Sequence, residues 1–208
     1  MIKLDLKIGL EQKLKKMAAF LAEGKVIVYP TETVYGLGCD ATNKEAIGKI
    51  YWIKERDESK QLLVLVGSRA MSEKYFEFDK LSRRLAKKYW PGALTLILPV
   101  RPEFRQVFGY DKVGVRLSSN PVATSLSRRL GRPITSTSVN LSGQPAALTS
   151  AQVLSYFADK LDSIAALADS GELEFSPGST IIDMTVSPAK IVRQGRVEVS
   201  EKLLAMQA

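Results

Sequence analysis

The segment KVIVYPTETVYGLGCDA, residues 25–41, decides the fold class of this chain. Residues 25–29 form a short apolar run rich in β-branched side chains, which is typical of a buried strand. Residues 30–41 then bring hydroxyl groups and two glycines, and ligands in open α/β sheets bind just beyond the carboxyl ends of strands. The segment therefore predicts a strand that leads into a ligand-binding crevice, with an ordinary turn as the alternative.

Helical and strand patterns alternate on either side of this segment. Before it, apolar residues with helical spacing predict an amphipathic helix: Leu10, Leu14, Met17, Ala18 and Leu21. After it, further helices are predicted near residues 47–53, 81–89, 122–130 and 153–157. Capping-box spacings at residues 42–45 and 149–152 mark the start of two of these helices. Ser68 could cap a further, short helix. Strands are predicted near residues 61–66, 94–98, 113–117, 134–136, 164–168, 179–184 and 190–193. Helices interleaved with about eight strands indicate an α/β or α+β sheet with flanking helices.

The composition excludes several kinds of catalysis. The chain has 208 residues and no histidine, which excludes Ser-His-Asp and Cys-His nucleophiles and metal sites that need imidazole. Cys39 is the single cysteine, so neither an intrachain disulfide nor a cysteine-ligated zinc can form. We predict no protein metal site, and the chemistry must use hydroxyl, carboxylate, amine, guanidinium or backbone groups.

The charge and the hydropathy suggest a partner and a compartment. A net charge of +8 is compatible with RNA or a phosphate-bearing substrate, or with solubility alone. Basic clusters at residues 83–88 and 128–132 could follow an RNA backbone or could be solvated helix faces. No run approaches the ~20 apolar residues of a membrane span, and the N-terminus lacks the apolar core of a signal peptide. We therefore expect a cytoplasmic protein without a membrane partner.

Two further segments carry candidate functional side chains. Lys54 and Arg56 end a predicted helix, and they could converge on one phosphate or carboxylate if the helix stops there. The alternative is that both cations only favour a helix C-terminus. In the hydroxyl-rich residues 135–143, an extended chain would place Ser136, Ser138 and Asn140 on one side. A capping loop is the alternative there, and without histidine none of these serines can be an activated nucleophile.

Several motifs occur along the chain in a fixed order: residues 30–41, Lys-x-Arg at 54–56, Trp-Pro-Gly at 90–92, Val-Gly-Val-Arg at 113–116, Ser-x-Asn at 138–140, and residues 178–183 and 191–195. In this order they resemble the YrdC-like family, the threonylcarbamoyl-AMP synthases that serve tRNA modification. The resemblance extends over about residues 8–200 and implies the short form, a single YrdC-like domain over residues 1–208. The sequence departs from the family pattern after Arg56, where Asp57 replaces a common proline and Gln61-Leu62 replaces a Pro-Leu pair.

The resemblance implies a fold, a reaction and partners. The fold would be a twisted open sheet with flanking helices around a concave basic pocket. The reaction would convert L-threonine, bicarbonate and ATP, the last with Mg²⁺, to threonylcarbamoyl-adenylate and pyrophosphate. A transfer complex would then pass the threonylcarbamoyl group to the adenosine beside the anticodon of tRNA.

The resemblance also implies residue roles. The catalytic pair would be Lys54 and Arg56, which would hold triphosphate or bicarbonate-derived oxygens. The other ATP-binding residues would be Ser138, Asn140 and Arg193. The threonine would be surrounded by Thr31, Arg116, Ser136 and Ser179, with Arg116 facing its carboxylate.

Two other functions compete with this interpretation. One is a non-catalytic module of the same fold that binds double-stranded RNA or tRNA. Loss of Lys-x-Arg or Ser-x-Asn would favour such a module, and both motifs are present. The other is carbamoyl transfer as in hydrogenase-maturation proteins, which carry acylphosphatase and zinc modules that a chain of 208 residues with one cysteine would not accommodate.

Overall fold

A single mixed sheet runs through the chain. The computed structural model describes residues 1–200 and 203–204, and ten strands of this part belong to the sheet. They are β1 Ile2–Asp5, β2 Val26–Pro30, β3 Tyr35–Gly38, β4 Leu63–Leu65, β5 Leu94–Pro99, β6 Lys112–Arg116, β7 Ile134–Ser138, β8 Ile164–Asp169, β9 Thr180–Asp183 and β10 Lys190–Arg193. Their order is β1-β8-β2-β3-β7-β4-β6-β5-β9-β10, so the predicted open sheet with flanking helices is confirmed. The strands β1 and β3 were not predicted from the sequence; β3 (Tyr-Gly-Leu-Gly) contains two glycines, which are depleted in strands.

Helices cover the sheet on both faces. They are α1 Leu10–Ala22, α2 Lys44–Lys54, α3 Arg69–Tyr75, α4 Lys80–Tyr89, α5 Pro102–Phe108, α6 Pro121–Leu130 and α7 Ser150–Tyr156, followed by a 3₁₀ turn at Ala158–Ser163. The predicted capping box of α7 at Thr149 and Gln152 is present. The one predicted at Thr42 is wrong: Asn43 caps α2 by accepting from the amide of Ala46, because the Thr42 hydroxyl donates to Asp40. No described helix is long and apolar enough to cross a membrane.

The strand β2 shows how the sheet divides the core. Alternate side chains point to opposite faces, so Ile27 and Tyr29 pack with α1 and α6, whereas Val26 and Val28 pack with α2 and α7. A third apolar cluster lies between the β5–β6–β9 part of the sheet and α3 and α4. The helices therefore leave the strand ends free at the edge where the functional side chains lie.

The centre of the sheet brings two functional segments together. β3 pairs antiparallel with both β2 and β7, and Tyr29 donates a 2.7 Å hydrogen bond to the carbonyl of Thr135. A side chain at Gly38 would place its Cβ only 2.3 Å from that carbonyl oxygen, so glycine is required for the close approach. The hydroxyl-rich run of β7 is thereby fixed beside the β2–β3 turn.

Candidate active site

The predicted residues converge on one cavity. A concave space of about 390 Å³ opens where β2, β6 and β7 end and β9 begins. Seven of the nine predicted site residues line it: Thr31, Arg56, Arg116, Ser136, Ser138, Ser179 and Arg193. Lys54 and Asn140 are outside this lining. Within the described ranges no group of three or more acidic, cysteine or histidine residues could hold a metal ion.

Thr31 shapes the turn that follows β2. Its hydroxyl accepts 3.1 Å hydrogen bonds from the amides of Thr33 and Val34 and donates a 2.7 Å bond to the Val34 carbonyl. This closure bends the chain from β2 into β3 immediately beside the cavity. The segment predicted to form a crevice is therefore a hairpin turn that also forms a cavity wall.

Lys54 lies behind the cavity wall rather than in it. Helix α2 ends at Lys54 because Glu55 adopts a left-handed conformation (φ 51°), and the side chain of Lys54 is 1% exposed. Its ammonium group donates to the carbonyl oxygens of Ser138 and Asn140 and to Oδ1 of Asn140. Burial, and then the nearby charge of Arg56, lower the pKa of Lys54 to about 7. An ammonium has three N–H donors, so all of them are used to hold the turn at residues 138–140.

Arg56 lies in the cavity and orders the loop behind it. Its Nε donates to the carbonyl of Lys60 at 3.1 Å and its Nη2 to the carbonyl of Gln61 at 3.3 Å. Residues 57–61 therefore wrap around the guanidinium group, although the family's prolines are absent there. Lys60 contributes its carbonyl oxygen to this arrangement.

The end of β7 supplies two hydroxyl groups. Ser136 and Ser138 both line the cavity, as the alternation along an extended chain predicts. The strand stops at Ser138, and Asn140 folds back so that its Oδ1 accepts from the Ser138 hydroxyl at 2.7 Å and from Lys54. The predicted alignment therefore holds for the two serines, while Asn140 supports the turn.

Arg193 and Ser179 form the opposite wall. The Arg193 guanidinium donates to the Ser179 carbonyl at 3.0 and 2.7 Å and to the Ser179 hydroxyl at 3.1 Å. Burial, followed by the positive charge of Arg116, lowers the pKa of Arg193. The two guanidinium groups are therefore close enough to repel each other, which favours an anion between them.

Arg116 has a partner that the sequence analysis missed. Its Nη1 lies 3.2 Å from Oε1 of Glu32, and it also donates to the Thr33 hydroxyl at 3.4 Å. The Ser118 hydroxyl donates to the other carboxylate oxygen of Glu32. Glu32 lies within the segment 30–41, but nothing in its spacing indicates a contact with β6. The available signal was an acidic residue within a predicted ligand-binding segment.

The basic clusters on the surface are partly paired with acidic residues. Three arginines form ion pairs with acidic residues: Arg83 with Glu73, Arg129 with Glu11 and Arg132 with Asp40. Arg128 donates instead to the carbonyl of Gly67. Much of the charge in the predicted RNA-facing clusters is therefore neutralised or used within the protein.

Comparison with known proteins identifies the family. The model of the Sua5, YciO and YrdC proteins, described as "Telomere recombination", matches residues 19–195. The chain belongs to this family. It is 35% identical over 194 residues to the threonylcarbamoyl-AMP synthase of Pyrococcus abyssi (strain GE5 / Orsay), covering 92% of this chain and 56% of that protein. It is 35% identical over 192 residues to the enzyme of the same name from Bacillus subtilis (strain 168), covering 90% and 54%. The chain thus spans a little over half the length of these curated relatives.

Solved structures agree with the observed fold. The crystal structure of P. abyssi Sua5 complexed with L-threonine superposes with a TM-score of 0.84 at 35% identity, covering 93% of this chain and 57% of that one. E. coli YciO superposes with a TM-score of 0.80 at 26% identity, covering 93% and 94%. The sheet and its flanking helices are therefore those of the Sua5/YciO/YrdC fold.

Proposed function

We propose that the chain is a threonylcarbamoyl-AMP synthase, a nucleotidyltransferase that makes threonylcarbamoyl-adenylate, pyrophosphate and water from L-threonine, bicarbonate and ATP. The observation that carries this proposal is the convergence of Arg56, Arg116 and Arg193 with several hydroxyl groups on one cavity. Synthases 35% identical to the chain support it, as does the L-threonine complex of one of them.

The reaction suits a cavity of this composition. A carbamate oxygen of carboxylated threonine attacks the α-phosphorus of ATP, a new P–O bond forms, and the bond to pyrophosphate breaks. Such a transfer needs aligned reactants and stabilised phosphate charge more than covalent help from the protein. Guanidinium groups supply that charge in a planar fork that fits phosphate and carboxylate oxygens.

The nucleotide would lie against the wall formed by β7 and the end of α2. In this arrangement Arg56 and Arg193 contact the phosphates, with Arg193 also near the ribose, and the Ser138 hydroxyl contacts ATP. Lys54 and Asn140 contribute from behind the wall, because their hydrogen bonds hold Ser138 in place. Lys54 also adds a positive charge beneath the phosphates.

The threonine would lie against the β2–β3 turn. Arg116 would bind its carboxylate, while the remaining contacts would come from Thr31, Ser136 and Ser179. These three residues are 3%, 7% and 3% exposed, so they form a buried, polar part of the cavity. A short hydroxy amino acid fits such a polar recess.

The proposal extends to partners and location. Mg²⁺ would enter with ATP, and ions of this kind keep several waters and bind mainly through substrate phosphates, where they neutralise charge. The adenylate would pass to a transfer complex that modifies tRNA, in the cytoplasm. Residues 1–208 would act as a single YrdC-like domain, and tRNA would bind through the basic surface clusters.

Pyrophosphate release with each substrate omitted in turn tests the function. We expect release only when L-threonine, bicarbonate and ATP are all present, and we expect threonylcarbamoyl-adenylate by mass spectrometry. Pyrophosphate release that does not require threonine would contradict the proposal. RNA binding without any turnover would instead favour the non-catalytic module.

A further inference from the structure

An ion pair without full hydrogen bonding lies in the cavity wall. The side chains of Arg116 and Glu32 are 6% and 12% exposed, and Nη1 and Oε1 are 3.2 Å apart. Within the described residues, Arg116 Nε and Glu32 Oε1 are buried without a hydrogen-bond partner. Buried polar groups are normally satisfied, so a pair formed only for stability would be expected to use both sides of the guanidinium fork.

Glu32 is held firmly on the side away from Arg116. Oε2 of Glu32 accepts from the Ser118 hydroxyl, which itself accepts from the amide of Asn120 at 3.1 Å. The backbone carbonyl of Glu32 accepts from Arg196 at 3.2 Å. A carboxylate anchored in this way is a fixed counter-charge rather than a mobile group that moves in and out of the cavity.

The contacts of Arg116 leave one edge of the guanidinium available. The protein contacts go to Nη1, from Glu32 and from the Thr33 hydroxyl. Nη2 makes no hydrogen bond to any described residue, and Arg116 lines the cavity. Without the contacts at Nη1, the side chain of Arg116 could rotate out of this orientation. Repulsion by the positive charge of the neighbouring Arg193 would favour that rotation.

We infer that Glu32 is a positioning residue: it fixes Arg116 through Nη1, so that Nη2 meets the carboxylate of the amino-acid substrate. This inference rests on the proposed function. It adds that Glu32 helps to determine why the amino-acid substrate must carry a carboxylate. Glu32 touches no reacting atom, and its effect passes through Arg116 alone.

The test compares Glu32→Gln with Glu11→Gln, which breaks an Arg–Glu pair of the same kind on the surface. Pyrophosphate release is measured against L-threonine and against L-threoninamide, which lacks the carboxylate. We expect Glu32→Gln to raise KM for threonine about tenfold, with KM for ATP within about twofold. We also expect the wild-type preference for threonine over threoninamide to shrink by a similar factor, which a general loss of structure would not produce. Glu11→Gln should behave as wild type.

A second variant covers the possibility that Glu32→Gln does not fold. Ser118→Ala keeps the charges of Glu32 and Arg116 and removes the hydroxyl that anchors Glu32. It should therefore raise KM for threonine and lower the preference for threonine over threoninamide, each by a smaller factor than Glu32→Gln. Unchanged discrimination in folded variants, or tighter threonine binding, would overturn the inference alone. Wild-type turnover that ignores threonine would overturn the proposed function and the inference with it.

Discussion

Two arginines of the cavity and two arginines of the surface clusters have different partners. In the cavity, Arg56 and Arg193 donate to backbone carbonyl oxygens, which orient a guanidinium group without cancelling its charge. On the surface, Arg83 and Arg129 face carboxylates, which cancel it. Both regions contribute to the net charge of +8, but the charges of Arg56 and Arg193 are not cancelled by a carboxylate, whereas those of Arg83 and Arg129 are.

The difference shows why net charge alone is a poor guide to where an anion binds. A cleft lined by one sign of charge focuses the field on a small volume, whereas paired surface charges produce little field beyond a Debye length. The cavity is therefore the stronger anion site of the two regions. Variants that change one region and spare the other test this contrast.

The largest effect should come from Lys54→Met. The substitution removes three hydrogen bonds to residues 138–140 and leaves the carbonyl oxygens of Ser138 and Asn140 without their Lys54 donor, so we expect product formation to fall more than about 100-fold and the free energy of unfolding to fall by about 1–3 kcal/mol. Pyrophosphate release and chemical denaturation measure the two quantities. Lys160→Met is the matched control, because Lys160 also donates to backbone carbonyls but not to this turn. Full activity in Lys54→Met would show that the hydrogen bonds from Lys54 to this turn are not needed for catalysis.

Arg56→Ala should cause the next largest loss. A lost charge-assisted contact costs about 1.5–3 kcal/mol, so turnover should fall by roughly 10- to 150-fold. The surface substitution Arg83→Ala removes an arginine whose charge is already paired, and it should leave turnover unchanged. Equal losses in both variants would show that the two regions do not differ in the way described.

Arg116→Lys separates the threonine side of the cavity from the nucleotide side. A lysine cannot reproduce the planar fork that pairs with a carboxylate, so KM for threonine should rise about tenfold. KM for ATP should change little. Initial-rate measurements with one substrate varied at a time give both values, and an equal rise in the two would indicate a structural role for Arg116.

The smallest effect concerns RNA. Arg84 forms no ion pair with a described residue, whereas Arg129 is paired with Glu11. Arg84→Glu should therefore lower the salt dependence of tRNA binding by about one log–log unit, and Arg129→Glu should change it less. Anisotropy titrations at two salt concentrations measure this slope, and pyrophosphate release should be unchanged in both variants. A tRNA affinity that does not change with the salt concentration would show that this surface does not bind RNA.

The sequence predicted the strands of the sheet better than the contacts between them. Eight of the ten strands follow from local apolar runs, because such a run can be buried only as a regular element. β3 was missed because its glycines serve a close approach to β7, which is a tertiary requirement. The pattern of residues 25–29 could not indicate which strand would lie beside it.

Motif order names candidate residues but gives no geometry for them. The structure places seven of these nine candidates on one cavity. Motif order could not place Lys54 behind the cavity wall, because that position depends on the left-handed residue Glu55 and on where β7 stops. Nor could it pair Glu32 with Arg116, since the two lie on separate strands whose ends meet only in the folded sheet.

The cavity joins parts of the chain that are far apart in sequence, from Thr31 after β2 to Arg193 in β10. Closing loops of this length costs conformational entropy, so the pocket exists only once these distant parts of the chain have come together. Individual hairpins and helices would hold no ligand. Substrate occupancy therefore reports on the whole native topology, and bound substrate shifts the folding equilibrium of the entire sheet rather than of one local segment.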